Sequence, residues 1–289
     1  MAIKSILVPI DGSKTSFSAL ERAIVVADRF GSHIKVLHIM LRASDIAAAG
    51  YFNLPAVHRK KAQIEADKVA MERAAELQEQ FEAYCADHNI TISQQPTEHA
   101  GVTAAWHQEF GHIEEVLIHH GRASDVIAVS RPRVREDTVR RSPVGQSTEA
   151  ILMRTGRPVL ITPPENTELK CERVAIGWND TIECSRALAM TMPWLVEMGE
   201  ITIIVSRRRE PSVKTLIEYL SWHGIKADIA LLDGKGKSTG EAILNVCSEI
   251  NVEFLIVGGF SRSRASQLLF GGVTHHLLTK SNIVTVMVH

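Results

Sequence analysis

Two glycine-containing segments near the end of the chain have the residue types of an anion-binding loop. The first is Gly258-Gly-Phe-Ser-Arg262, and the second is Phe270-Gly-Gly-Val-Thr274. Glycines before a helix let the backbone approach a ligand closely, and the N–H groups at a helix N-terminus favour a negative charge. Thr274 can add a hydroxyl donor or cap the helix. Two such loops in one unit predict a cradle for a polyphosphate.

These loops need a rigid support, and short apolar segments along the chain predict one. Runs rich in Val, Ile and Leu alternate with helical segments, as in a parallel sheet that is covered by helices on both faces. The predicted strands lie near residues 4–10, 34–40, 90–95, 125–130 and 158–162, and then near 173–178, 201–206, 226–231, 253–258 and 283–288.

The strand order decides where a ligand binds. In a five-strand unit of order 3-2-1-4-5, ligands bind beyond the carboxyl ends of the first and fourth strands, where the order reverses. In the second set of strands, Asn179 and Gly258 lie at these two ends. Asn and Gly are also common turn formers, so purely structural turns are the alternative interpretation.

The chain contains an internal repeat. Ile6-Leu-Val-Pro-Ile-Asp-Gly-Ser13 is similar to Val174-Ala-Ile-Gly-Trp-Asn-Asp-Thr181, so that Asp11 aligns with Asn179. The first repeat is about 40 residues longer, mostly in a polar helical stretch over 55–88. We predict an α/β fold with two tandem doubly wound, Rossmann-like parallel five-stranded sheets, in domains 1–165 and 166–289.

Composition excludes several classes of protein. The 32 Lys and Arg against 33 Asp and Glu give a net charge of −1, which argues against binding to nucleic acid. The sequence contains no uninterrupted run of about 18 apolar residues, so we predict no membrane span, and no leader sequence is visible. The four scattered cysteines are typical of reduced, buried thiols. We expect a cytoplasmic protein with neither a membrane nor a nucleic-acid partner.

The ordered set of motifs resembles the tandem type of the universal stress protein family. Asp11-Gly-Ser13 is similar to the family's first turn, and Arg122-Ala-Ser-Asp125 is similar to its entry into the fourth strand. The stretch 258–274 resembles its ATP loop, which is Gly, two residues, Gly, nine residues, Gly and a small residue. The resemblance covers both repeats. It implies an adenine nucleotide α-hydrolase-like fold and an ATP-binding regulatory role in the stress response, with or without Mg²⁺.

The resemblance also implies which residues bind the nucleotide. Glycines of the loop contact phosphate or ribose, a backbone amide and a hydroxyl approach phosphate, and Asn179 stands where the family often has an aspartate facing adenine or ribose. Ser261 departs from the pattern by replacing the second glycine, and Arg262 can compensate through phosphate contacts or simply be a solvated loop residue. The predicted cofactor-binding residues are Asn179, Gly258, Ser261, Arg262, Gly271, Gly272, Val273 and Thr274.

The first repeat departs further from the family pattern. It has Ser130 and Arg133 where the loop glycines belong, so we expect a degenerate site there. The sequence shows no nucleophile–base pair and no catalytic motif, so we predict no catalytic residues and no metal site. His107, Glu109 and His112 are interpreted as a polar helix face.

Two other functions stay open, along with the assembly. The alternatives to nucleotide binding are an interaction or scaffold module without a nucleotide, and a weak ATPase or autophosphorylating protein. We expect the last strands of the two repeats, 157–161 and 283–288, to pair within the chain as a pseudo-dimer. A further homodimer is left undecided.

Overall fold

A computed structural model of the chain describes residues 3–42, 56–95, 101–131, 143–164, 169–233, 238–260 and 272–289. The strands are β1 Ser5–Pro9, β2 His33–Met40, β3 Thr91–Ile92, β4 Thr103–Phe110, β5 Val126–Ser130, β6 Val159–Thr162, β7 Arg173–Trp178, β8 Glu200–Ser206, β9 Ala227–Leu232, β10 Phe254–Gly258 and β11 Val284–Val288. The helices are α1 Lys14–Phe30, α2 Ala56–Asp87, α3 Ile113–Arg122, α4 Pro143–Arg154, α5 Ile182–Leu195, α6 Val213–Trp222, α7 Thr239–Glu249 and α8 Gly272–Lys280, with a 3-10 helix at Arg207–Ser212. Within these ranges, no helix has both the length and the apolar character to cross a membrane.

The strands form one sheet of 11 strands in the order β3-β4-β2-β1-β5-β6-β11-β10-β7-β8-β9. Except for β6 with β11, the neighbouring strands pair in parallel. Counting the main strands of each half in chain order, both halves have the order 3-2-1-4-5. The predicted tandem, doubly wound α/β fold is therefore confirmed, and the pairing of β6 with β11 joins the two sheets into one.

The third strand of the first half is not where the sequence pattern put it. Only Thr91–Ile92 of the predicted strand near 90–95 pairs, as the short edge strand β3. The full third strand is β4, in which His107 pairs with Leu37 and Glu109 with Ile39 of β2. The helix-face interpretation of His107 and Glu109 is therefore wrong. The cause is that β4 is buried only over its first half, so its polar end lacks the apolar signal of a central strand.

The long helix of the first half forms as predicted. The stretch expected over 55–88 is α2, and part of this helix is buried against the sheet. Leu77 and Phe81 are completely buried, and the Phe81 ring centroid lies 5.8 Å from that of Trp106 on β4. In the first part of the helix, Val69 is 56% exposed. The second part of α2 therefore anchors the helix on the sheet.

The two halves meet at β6 and β11, which pair antiparallel. Leu160 lies opposite Val286, and both side chains are completely buried. The junction continues outside the strands, because the Arg131 guanidinium donates to the carbonyl of Thr279 at 2.9 Å. Each half therefore covers a sheet edge that the other half would expose.

This junction predicts the behaviour of the first half alone. Residues 1–165 would expose the backbone groups of β6 along one edge, and an exposed apolar edge strand promotes association. We expect this fragment to self-associate at concentrations where the full chain does not change its sedimentation. Analytical ultracentrifugation of both proteins measures this, and a soluble, monomeric fragment would argue against the role we give to the junction.

Candidate functional site

The turn after β7 has a left-handed backbone that matches the turn after β1. Asp180 has φ of 60°, and Gly12 at the aligned position of the first half has φ of 82°. Asp tolerates this conformation better than most residues with a side chain. The turn therefore keeps its shape in both halves and places Asn179 at the carboxyl end of β7.

The side chain of Asn179 is held by the start of α5. Its Oδ1 accepts hydrogen bonds from the Thr181 hydroxyl at 2.9 Å and from the Cys184 thiol at 2.9 Å. Because Oδ1 accepts both bonds, the amide nitrogen is the atom that can turn to a ligand, with two N–H donors. Asn179 is exposed, so a ligand can reach it.

Gly258 packs directly against the same helix. A Cβ atom at Gly258 would lie 2.6 Å from the backbone nitrogen of Cys184 and 2.6 Å from the carbonyl carbon of Glu183. Real Cβ atoms do not approach backbone this closely, so the end of β10 needs glycine to let α5 pack. Cys184 contacts both Asn179 and the Gly258 position. The structure therefore brings these two predicted site residues together at the carboxyl ends of β7 and β10.

Thr274 connects the loop after β10 to the first turn of α8. Its hydroxyl oxygen accepts a hydrogen bond of 3.2 Å from the backbone N–H of Phe260, which has φ of 56°. Thr274 is buried, Val273 is half-buried and Gly272 is exposed at the start of α8. The N-terminus of α8 therefore lies close to the loop that leaves β10. Ser261, Arg262 and Gly271 lie outside the described residues, so their place in the site stays a prediction.

The first half has a cleft that the sequence did not predict. It has a volume of about 280 Å³ and lies beyond the ends of β1 and β2, between α2 and α3. Its lining includes both apolar and charged side chains: Pro9, Ile10, Asp11, Leu37, His38, Ile39, Met40, Leu41, Ala70, Arg73, Ile113 and Leu117. The lining residues from α2 are far from β1 in sequence, so no local pattern predicts the cleft. The local feature that could have pointed to it is Asp11, directly after a buried strand.

Asp11 is ionised at the mouth of this cleft. Partial burial raises the pKa of its carboxyl, but hydrogen bonds from the Ser13 hydroxyl and backbone N–H and from the Ser16 hydroxyl outweigh burial and lower the pKa below its usual value. The backbone bond from Ser13 N–H to Oδ1 measures 2.9 Å. The carboxylate therefore stabilises the turn that leads into α1.

A chain of polar side chains lies on β2, β4 and α3. Lys35 Nζ lies 2.8 Å from His120 Nδ1, and His120 Nε2 lies 2.8 Å from Glu109 Oε2. His107 is nearby, and burial, followed by the charges of Lys35, His120 and His33, lowers its pKa. Over the described ranges, the structure contains no group of three or more His, Cys, Asp or Glu side chains that could hold a metal ion.

The four cysteines agree with the expectation of buried thiols. Cys85, Cys171, Cys184 and Cys247 are all free and buried. Burial raises the pKa of Cys247 to about 12 and that of Cys85 to about 11. These two thiols are therefore protonated and poorly nucleophilic at neutral pH.

Comparison with known proteins identifies the family. The family model described as the universal stress protein family matches residues 2–163. A universal stress protein from Archaeoglobus fulgidus DSM 4304 is similar over 98% of this chain and 97% of its own, with 18% identity and a TM-score of 0.68. A putative universal stress protein from Pseudomonas aeruginosa UCBPP-PA14 is similar over 99% and 93%, with 12% identity and a TM-score of 0.55.

A third solved structure shares the same fold. A functionally unknown protein from Pseudomonas aeruginosa PAO1 is similar over 99% of this chain and 92% of its own, with 13% identity and a TM-score of 0.56. At such identities the likeness shows the fold alone. No curated protein matches the sequence.

The contact at Gly258 predicts a stability difference between two glycines. Gly258→Ala would force a Cβ atom into the backbone of α5, and overpacking of this kind costs about 1–3 kcal/mol of unfolding free energy. Gly272→Ala is the matched control, because no described atom lies within 4 Å of a Cβ there. Urea unfolding should show a change of less than about 0.5 kcal/mol for the control. Equal stabilities of the two variants would contradict the packing role of Gly258.

The environment of Asp11 predicts a pH-dependent contribution to stability. A carboxyl whose pKa is lowered on folding stabilises the protein above its unfolded pKa of about 3.9, and the contribution is lost as pH falls through the folded pKa. Asp11→Asn should therefore lower the free energy of unfolding near neutral pH by less than about 1 kcal/mol, because the partly buried carboxylate still contacts solvent, which screens its interactions. The difference from wild type should shrink below about pH 4, as measured by urea unfolding. A difference that does not vary with pH would exclude this role of the carboxylate.

Proposed function

Because the chain belongs to the universal stress protein family, we propose that it binds an adenine nucleotide, ATP with or without Mg²⁺, as a regulatory protein of the stress response. The observation that carries this proposal is the convergence of Asn179, Gly258 and Thr274 on the carboxyl ends of β7 and β10. This is where the strand order of the second half reverses, and open parallel sheets bind ligands at such a point.

The phosphates would lie at the N-terminus of α8. There the backbone N–H groups of Gly272 and Val273 and the partial positive charge of the helix favour an anion. The Thr274 hydroxyl accepts from Phe260 N–H and still has its own hydrogen to donate to a phosphate oxygen. Ser261, Arg262 and Gly271 belong to the same proposed loop.

The adenosine end would lie on the side of Asn179. Its amide nitrogen can donate to ribose or to a ring nitrogen of adenine, because its amide oxygen is held by Thr181 and Cys184. An ionised aspartate at this position could only accept hydrogen bonds from the nucleotide, whereas the amide nitrogen of Asn179 donates them. Asn179 and the α8 N-terminus would thus hold opposite ends of one nucleotide.

The proposal extends to the organisation of the chain. We propose two domains, 1–165 and 166–289, that form an internal pseudo-dimer through β6 and β11, with the nucleotide held by the second. The first domain has Ser130 at the end of β5 in place of a loop glycine, and the next residue, Arg131, bonds to Thr279 of the second half. A cytoplasmic location completes this proposal.

An interaction module without a nucleotide is the second candidate. It is favoured by the fact that Gly258 and Thr274 each have a structural role, in packing against α5 and in holding the Phe260 loop. Weak ATP hydrolysis or autophosphorylation is the third candidate. Release of inorganic phosphate during long incubation with ATP and Mg²⁺ separates it from simple binding.

Calorimetric titration of ATP into the wild type and two variants of Thr274 tests the proposal. Thr274→Val removes the hydroxyl at nearly constant volume and should weaken ATP binding about tenfold, the usual effect of losing one hydrogen bond to a charged group. Thr274→Ser keeps the hydroxyl and should stay within about threefold of the wild type. Thermal unfolding of each variant separates an effect on the ligand from an effect on the loop.

Two results would overturn nucleotide binding at this crevice. One is the absence of any heat of binding by the wild type up to about 1 mM ATP. The other is wild-type affinity in Thr274→Val, which would place a bound nucleotide elsewhere in the protein.

A further inference from the structure

The second half contains a groove whose lining includes no residue of β10 or α8, the elements of the proposed nucleotide crevice. It lies between α5 and the segment made of the 3-10 helix and α6, and it has a volume of about 570 Å³. Grooves of this size accommodate small organic molecules. Its lining combines aromatic, aliphatic and hydroxyl groups: Trp178, Asp180, Ser185, Leu188, Ser212, Thr215, Leu216 and Tyr219.

The aromatic wall of the groove is held in place by hydrogen bonds. The Trp178 indole N–H donates to the Ser212 hydroxyl at 2.9 Å, and that hydroxyl donates to the carbonyl of Arg209 at 2.8 Å. On the α6 side, the Tyr219 ring is 41% exposed in the native protein and packs edge-on against His223, with ring centroids 4.9 Å apart. Two aromatic rings and two leucines therefore form a preformed apolar surface.

Asp180, which lines the groove, forms an ion pair with Arg209 of the 3-10 helix. Asp180 Oδ2 and Arg209 Nη1 are 3.6 Å apart, and their side chains are 47% and 40% exposed. An exposed ion pair of this kind contributes only about 0–1 kcal/mol, so a ligand can replace either partner at low cost. An ammonium group suits Asp180, and a carboxylate suits the planar donor fork of Arg209.

The first half shows that the fold does not require such a groove. Ser185 aligns with Phe17, which is half-buried and packs on the core, whereas Ser185 is exposed. The position of Asp180 is Gly12 in the first half, where a Cβ atom would lie 3.0 Å from a methyl group of Leu77. In the first half, Phe17 and Leu77 thus occupy the space around this turn. In the second half, the smaller Ser185 and the polar Asp180 leave the corresponding space open.

We propose that this groove binds a small aromatic zwitterion of the α-amino acid class. The ring packs between Trp178 and Tyr219 over Leu188 and Leu216. The ammonium group pairs with Asp180 and the carboxylate pairs with Arg209. The site uses none of the residues proposed for the nucleotide, so this proposal does not depend on nucleotide binding.

Three probes with the same phenyl ring test the charge requirement. They are phenylalanine, phenethylamine and 3-phenylpropionate, and the readout is the NMR signal of the Trp178 indole N–H, assigned with Trp178→Phe. We expect phenylalanine to bind with a dissociation constant of about 1 mM, as suits a ligand of about a dozen heavy atoms. The two singly charged probes should bind at least about threefold more weakly, because each leaves one charge of the ion pair without its partner.

Two serine variants test the location. Ser185→Phe restores the residue of the first half, fills the groove and should abolish phenylalanine binding. Ser221→Phe makes the same change at an exposed position of α6 outside the groove lining and should leave binding unchanged. Melting temperatures of both variants should match the wild type, and so should their ATP titrations.

The proposal fails on any of three results. These are no shift of the Trp178 signal at about 10 mM phenylalanine, equal affinity for all three probes, and binding by Ser185→Phe that matches the wild type. Loss of ATP binding alone would leave the proposal standing, because the two sites share no residue.

Discussion

The antiparallel pairing of β6 with β11 is the constraint on which the rest of the molecule depends. Without it, each half would end in an exposed parallel strand with unpaired backbone groups and an apolar surface. With it, the carboxyl end of β5 lies next to α8 of the second half, and the carboxyl end of β10 lies next to α4 of the first. Gly259, just after β10, donates to Val288 at 2.8 Å, and a Cβ atom there would lie 3.1 Å from Leu152 of α4. The loop of the proposed nucleotide site is therefore built against the first half.

The two halves share one fold but surround its first turn with different side chains. In the first half, α2 packs over the turn after β1, and Arg73 and Leu77 cover Gly12. In the second half, the shorter α6 leaves a groove over the aligned turn, whose Asp180 keeps the left-handed backbone and adds a charge. The side chains around a turn of constant backbone shape thus differ between the two halves, as expected when function depends on local sites rather than on the fold.

Most of the fold could be predicted because strands buried on both faces have a strong apolar signal. Nine of the ten predicted strands form close to their expected residues, and the exception is the third strand of the first half. There the full strand Thr103–Phe110 mixes buried and exposed residues and was missed. The segment that was predicted in its place forms only the two-residue edge strand Thr91–Ile92. Periodicity alone cannot separate such a half-buried strand from a polar helix.

The candidate site could be predicted less well than the fold. Asn179 and Gly258 both contact Cys184, and Thr274 bonds to the loop that leaves β10, but the sequence could not show that Gly258 is needed for packing against Cys184. The groove beside Trp178 and the cleft beside Asp11 depend on residues far apart in the chain, such as Tyr219 and Arg73. Contacts of this kind arise from the crossover of helices over the sheet, and no local motif encodes them.

Photoaffinity labelling with an azido derivative of ATP, followed by peptide mapping, locates a bound nucleotide in the chain. A nucleotide held between β7 and α8 should give labelled peptides that contain Asn179 or residues of 258–289, with labelling that unmodified ATP suppresses. Suppressible labelling confined to the first-half cleft, in peptides that contain Asp11 or His38, would contradict this placement. So would labelling that an excess of ATP does not change.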